Sequence, residues 1–159
     1  DTNYGLIYHD HFSYFSVKNL TNFGKKYGLY AFDAIVTDAQ GGSLRIFFSK
    51  GKKKLTKRYK KLFEKETKSN LNSFKVSAIY RKKVYRTTKK LKDLINNLKR
   101  KKKIIAGYGA AAKGMTIIKS SGIGKKHLEY FVDDSPAKQG LYTAGDKIPI
   151  ISRAQANKK

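Results

Sequence analysis

The sequence contains no cysteine. Disulfides and thiolate metal sites are therefore excluded within these residues, and a cytoplasmic location is the expectation. No apolar run approaches the roughly 18 residues that a membrane-spanning helix needs, so no membrane partner is expected. The polar start lacks the basic-then-apolar pattern of a secretory signal. Methionine is nearly absent: Met115 is the only one, and residue 1 is Asp. A natural reading frame begins with Met, so a fragment or a processed product is expected. Acidic residues are scarce, 11 against 36 basic ones, which leaves a net charge of +25.

Such a charge raises the question of nucleic acid. The kind of basic residue argues against a specific one. Arginine, which reads bases and grips phosphates in a bidentate fashion, occurs 6 times against 30 lysines. The lysines are scattered through expected helices, loops and tail. A lysine-biased proteome produces this pattern with no function attached. A basic nucleic-acid-binding module is the rival reading, with lysines on one continuous face as its signature.

Apolar residues make up 40% of the chain and aromatics 13%, enough to bury a core and to exclude global disorder. The length suits one domain or parts of two. A short helix is predicted over Val17 to Tyr27, with Ser16 as N-cap and Gly28 past its end. Strand-like runs follow at Tyr30 to Thr37 and Ser43 to Ser49. Gln40-Gly41-Gly42 between them reads as the turn of an antiparallel pair. A basic linker over 50–61 enters a helical stretch. From Phe74 onward, Tyr80, Val84, Leu91, Leu94, Ile95 and Leu98 recur at helical spacing, leaving a solvated lysine face.

At Lys103 the pattern changes. IIAGYGAAAKG predicts a strand, a glycine turn and a helix running to about Lys119. Leu128 to Val132 predicts a second strand, ending in Asp133-Asp134, and IPII at 148–151 a third. Strand, helix, strand at this spacing is a βαβ unit with parallel pairing.

The glycine turn is the first motif with chemistry. Gly107, Gly109 and Gly114 stand between a strand and a helix start, where backbone N–H groups and the helix dipole suit a phosphate. Asp133 lies 24 residues after Gly109, close to the usual place of an acid that bonds a ribose hydroxyl. Lys113 adds a point charge. The G-x-G-x-x-x-x-G spacing departs from the dinucleotide G-x-G-x-x-G, so a nicotinamide-cofactor protein is only an alternative. A tight turn that binds nothing is another. The second motif is Tyr8-His9-Asp10-His11. Histidine suits proton transfer, a carboxylate fixes a tautomer, and tyrosine can stabilise an oxyanion. Metal binding through His9, Asp10 and His11 is the rival reading, although alternation on a strand would point Asp10 away from the histidines. A surface aromatic loop is the plain one. His127 reads as an ordinary surface histidine.

IYHDHFSYFS, GGSLRIFF, AGYGAAAKG, FVDDSPAKQGLY and IPI occur in one order, and together they resemble the sugar C-methyltransferase family. Members methylate a carbon of nucleotide-linked deoxy keto sugars. The resemblance implies an α/β chain: the end of a class I methyltransferase sheet over residues 1–54, a linking helical segment over 55–102, and a Rossmann-like domain over 103–159, incomplete at both ends. The family's Tyr-x-Glu-His motif would fall on Tyr8, Asp10 and His11, with His11 as the base that removes a proton beside the sugar ketone. Asp10 stands where the family has Glu, one methylene shorter. Gln40 stands where the family has a His before Gly-Gly-Ser. Gly107, Tyr108, Gly109, Ala110, Lys113, Gly114, Asp133, Lys138 and Gln139 resemble the part that binds the nucleotide-diphosphate sugar. The implied cofactor is S-adenosylmethionine, bound mainly by a domain outside this sequence. Zinc belongs, by the same resemblance, to an N-terminal segment also outside it, and no metal is assigned to these residues. The isolated fragment is expected to be inactive.

Overall fold

A computed structural model describes residues 4–8, 10–71 and 73–158. It is a mixed α/β structure in two compact units, one of Ser13–Ala78 and one of Asp1–Phe12 with Ile79–Lys159. No helix is long and apolar enough to cross a membrane among the described residues.

In the 13–78 unit, α1 (Val17–Lys26) begins at the expected cap: Ser16 Oγ accepts the Asn19 N–H at 3.3 Å. A second cap comes from far along the chain. The two carboxylate oxygens of Glu66 accept the N–H groups of Val17 and Lys18 at 2.8 and 3.0 Å. Three helix-start donors thus find acceptors, and a negative charge sits at the positive end of the dipole. At the other end, Gly28 N–H reaches Lys25 O and Leu29 N–H reaches Gly24 O, the paired bonds of a Schellman ending.

Strands β1 (Tyr30–Thr37) and β2 (Ser43–Ser49) pair antiparallel, from Tyr30 opposite Ser49 to Thr37 opposite Ser43, as the Gly-Gly turn predicts. A bulge between Ala31 and Asp33 breaks the alternation, so the neighbours Asp33 and Ala34 are both buried. The Asp33 carboxylate is satisfied there. It accepts from the Ala34 amide, from Thr56 Oγ1 and Arg58 Nε, both at 2.6 Å, and from Arg58 Nη2. The Arg58 contact, above all, holds its carboxyl well below the usual carboxylate range. Thr56 also caps α2 (Lys57–Ser69), through the Tyr59 N–H. Val17, Ala31, Ala34 and Tyr59 form the core, with Leu44, Ile46, Phe48, Leu62 and Phe63 packed against it.

The long helix α3 (Phe74–Arg100) leads out of this unit and into the other. Its inward stripe differs slightly from the predicted one. Thr88 and Ile95 are buried and Val84, Leu91 and Leu98 partly so, whereas Tyr80 and Leu94 are exposed. Positions 84, 88, 91, 95 and 98 share one helical face, and a threonine fills a place that a purely apolar count passes over. The lysines of α3 are solvated, except Lys92.

The second unit holds a three-stranded parallel sheet in the order β3 (Gly107–Tyr108), β4 (Phe131–Val132), β5 (Ile150–Ile151). Helix α4 (Ala112–Ser120) joins β3 to β4, which is the predicted βαβ unit. The strands are shorter than the apolar runs and the first lies later. Ile104 and Ile105 fall outside regular strand, although ladder bonds begin at Ile105 O, which accepts from Glu129 N–H, and end at Gly109 N–H, which donates to Val132 O. Turns rather than a helix connect β4 to β5, and α5 (Arg153–Ala156) closes with a capping box between Ser152 and Gln155. Ile95, Ile123, Leu128, Phe131, Ile148 and Ile150 make the core.

His127 belongs to this interior, which corrects the surface reading. It is 5% exposed. Gly124 turns its N–H onto His127 Nδ1 at 3.1 Å, and α3 brings Lys92 Nζ to 2.9 Å from Nε2. Its neighbours in sequence, Lys126 and Leu128, give no hint of Lys92, which is 35 residues away.

Candidate functional site

The glycine turn is built from three glycines with three different environments. Gly107 lies in β3, directly beside Phe131 of β4, and a Cβ there would come within 2.6 Å of three atoms of the Phe131 ring. Packing on the central strand, not approach of a ligand, demands glycine at 107. Gly109 leaves the strand with φ +80°, and no atom lies within 4 Å of where its Cβ would be. Its conformation suits glycine and its outer side is open. Gly114 is helical, and its added Cβ would meet only Gly109 O at ordinary contact distance.

Helix α4 starts after Ala111, which supplies no side-chain cap, and the first turn carries no acidic residue. The positive end of the dipole is therefore not neutralised by a cap of its own. Lys113 lies in that first turn, partly buried.

Asp133, at the end of β4, comes to the turn as its spacing predicts. It meets the turn through the backbone: Oδ2 accepts from the Ala110 N–H at 2.8 Å and from Lys138 Nζ at 3.1 Å, while Oδ1 accepts from the Ser135 N–H at 2.9 Å. Gln139 Nε2 donates to the Asp133 carbonyl at 2.9 Å. One buried carboxylate thus ties the β3–α4 turn to the loop after β4. The Ser135 amide first, and then the Lys138 ammonium, hold its carboxyl below the ordinary value of 3.8. A depressed carboxyl stabilises the fold fully above its ordinary value and loses that contribution as pH falls below it. Asp133→Asn will therefore melt below the parent protein at neutral pH, and the gap will close as pH is lowered towards 3. A gap that stays constant in thermal melts across that range rules this linkage out.

Tyr108 belongs to the turn as expected, and the structure adds its partner. The Tyr108 hydroxyl donates to Asp134 Oδ2 at 2.6 Å, and that carboxylate pushes the phenol above its usual range. The doubled acid Asp133-Asp134 is the sequence signal for this bond: successive residues at a strand end face opposite ways, so the second acid serves another group.

Tyr8, Asp10 and His11 lie outside any strand, and the His11 N–H donates to Tyr8 O at 2.9 Å. The strand-alternation argument about Asp10 therefore does not apply. His11 is exposed, its Nδ1 is 2.8 Å from Leu6 O, and its ring lies 4.3 Å from that of Tyr8, centroid to centroid. The preceding 3-10 turn, Tyr4–Leu6, packs on α4: Gly5 faces Ile117 and Lys113 O, and Thr116 Oγ1 is 3.5 Å from Ile7 O. Both motifs therefore belong to one compact unit. His9 and the side chain of Gln40 lie outside the described residues. Among the described residues no three His, Cys, Asp or Glu side chains converge as metal ligands.

One unit thus carries a phosphate-suited turn and a histidine beside a tyrosine. The family model of the C-methyltransferase C-terminal domain matches residues 38–159. The chain belongs to that family. The C-methyltransferase C-terminal domain covers α2, α3 and the whole parallel sheet. A similar protein is the C-methyltransferase NovU of Streptomyces niveus, 26% identical over 155 residues. The match takes in 96% of this chain and 37% of that protein, so the chain spans little more than a third of its relative's length. A match of that coverage extends on the N-terminal side of the C-methyltransferase C-terminal domain and takes in the Tyr8–His11 motif.

Proposed function

We propose that this chain is the part of an S-adenosylmethionine-dependent C-methyltransferase that holds a nucleotide-linked keto deoxysugar and removes the proton beside its ketone. The observation that carries the catalytic half is the His11–Leu6 contact. A carbonyl oxygen only accepts, so the Nδ1 of His11 carries the proton of the neutral ring, and the free lone pair sits on Nε2. A base needs that lone pair, held by an oriented ring. His11 Nε2 takes the proton from the carbon, the C–H electrons form the enolate, and negative charge develops on the former ketone oxygen. Tyr8, its ring tilted against that of His11, is the assigned hydrogen-bond donor to that oxygen.

The substrate half rests on the turn. Gly109 opens the backbone, α4 points the positive end of its dipole outward, and Lys113 and Lys138 add cationic charge for a diphosphate. Asp133 and Gln139 act as positioning residues that hold the turn and the 135–139 loop together. S-adenosylmethionine supplies, when bound, a methyl on a sulfonium that leaves as a neutral thioether. It carries no phosphate for the turn to bind, so no residue of this chain is assigned to it.

The test is calorimetric titration with a deoxythymidine diphosphate sugar and, separately, with NAD. We expect the sugar nucleotide to bind preferentially, and Gly109→Val to weaken it by about tenfold or more through strain and blockage of the open side. Preferential binding of NAD overturns the assignment.

A further inference from the structure

We propose that the far end of α4, with the 121–127 loop and Lys92 of α3, forms a second anion site that takes a phosphate-bearing ligand. It lies at the opposite end of the helix from the glycine turn and is independent of the proposed catalytic role. An open groove of about 400 Å³ is present there, lined by Lys119, Lys125, Lys126, His127 and Asp146 among others. Its only carboxylate is already engaged, since Asp146 pairs with Lys119 at 2.9 Å. Lys92, Lys125 and Lys126 have no carboxylate partner within 4 Å among the described residues.

The stronger argument is a surplus of donors around a buried ring. Both nitrogens of His127 face hydrogen-bond donors, the Gly124 N–H at 3.1 Å and the Lys92 ammonium at 2.9 Å. A neutral imidazole has one N–H and one lone pair, so it can accept from only one of them; a protonated ring accepts from neither. Lys92 also donates to Gly122 O, and the same ammonium faces the ring of His127, which lines the groove. An unmade hydrogen bond in such a place is costly. An oxyanion in the groove supplies the missing acceptor beside His127 and compensates the lining ammonium groups of Lys125 and Lys126. The carbonyl end of α4 would oppose an anion, but three of its last carbonyls are occupied: Ile117 O and Ile118 O accept from Ser121, and Ile118 O and Lys119 O from Ile123 and Gly122.

The local field agrees with this geometry. Burial first, and then the Lys92, Lys126 and Lys99 ammonium groups, hold the His127 pKa below its ordinary 6.5. A bound anion would reverse the electrostatic part of that shift, which makes His127 its own reporter. In the full 159-residue chain, ring resonances of the three histidines can be titrated by NMR with and without inorganic pyrophosphate. We expect pyrophosphate to raise the His127 pKa by about one unit, well beyond sodium chloride at equal ionic strength. The exposed-lysine variant Lys125→Gln/Lys126→Gln should remove the rise without disturbing the fold. A nucleoside diphosphate as a second arm separates a free phosphate ligand, which moves His127 less than pyrophosphate does, from a nucleotide, which moves it more. If pyrophosphate and the nucleoside diphosphate shift His127 no more than chloride does, or if the shift survives in the double variant, the site does not exist.

Discussion

Gly107→Ala will destabilise the protein by about 2–3 kcal/mol, more than a change at either of the other two glycines of the turn. The added methyl would overlap the Phe131 ring. Phe131 is 2% exposed and sits on the central strand, locked among Ile95, Ile123, Leu128, Ile148 and Ile150. A ring so enclosed has no free volume into which it can retreat, so the strain passes to the strand pairing. Gly109→Ala meets no atoms and carries only the conformational cost of φ +80°, about 1–2 kcal/mol. Gly114→Ala creates an ordinary contact inside a helix and should be neutral or stabilising by about 0.5–1 kcal/mol. Urea denaturation of the three variants checks the ranking. A double variant, Gly107→Ala with Phe131→Leu, tests the cause. If the ring is the obstacle, the two changes together cost less than their sum. Full additivity, or a Gly109 variant weaker than the Gly107 one, would show that the contact is not what fixes glycine there.

That ranking marks the limit of what is legible in the chain. Periodicity and turn chemistry are local, and the elements they govern match the fold: α1 with its Ser16 cap, the β1–β2 pair, and the strand–helix–strand order of the second unit. The three glycines look alike in sequence because the demand on each comes from elsewhere. Phe131, 24 positions on from Gly107, makes one of them a packing residue, while nothing approaches another. The same holds for charge. Glu66 caps a helix 49 residues earlier, Arg58 neutralises Asp33 across 25, and Lys92 finds His127 across 35. A scatter of lysines reads as composition until the fold shows which of them face a buried group. Strand length departs from the sequence pattern for a related reason. An apolar run records burial, and Ile105 is only partly buried beside the core although it precedes the regular strand. The Tyr8–His11 motif is legible as a set of residue types. The orientation of His11 is not, because its bond to Leu6 O depends on backbone folding that no periodicity announces.

His11→Ala will lower methyl transfer by the protein that carries this chain about 10²–10⁴-fold, the usual span for loss of a positioned general base. The fall should appear in kcat with little change in KM, since the His11 side chain bonds to Leu6 O and, in the proposed reading, the glycine turn rather than His11 holds the substrate. Proton removal can be followed apart from methylation. Solvent deuterium will enter the carbon beside the ketone in the parent protein, and His11→Ala will abolish that exchange. Added imidazole should restore part of both activities, because the exposed position of His11 leaves room for a free base of the same chemistry. His11→Asn separates orientation from basicity: its amide can still donate to Leu6 O, yet it offers no basic nitrogen, so it should be as inactive as alanine. Tyr8→Phe keeps the ring beside His11 and removes the hydroxyl, and should cost roughly 10–10²-fold, as loss of one oxyanion donor would at a partly exposed site. If His11→Ala retains deuterium exchange at the parent rate, the base lies elsewhere, and the Leu6 contact orients a histidine that has no part in the chemistry.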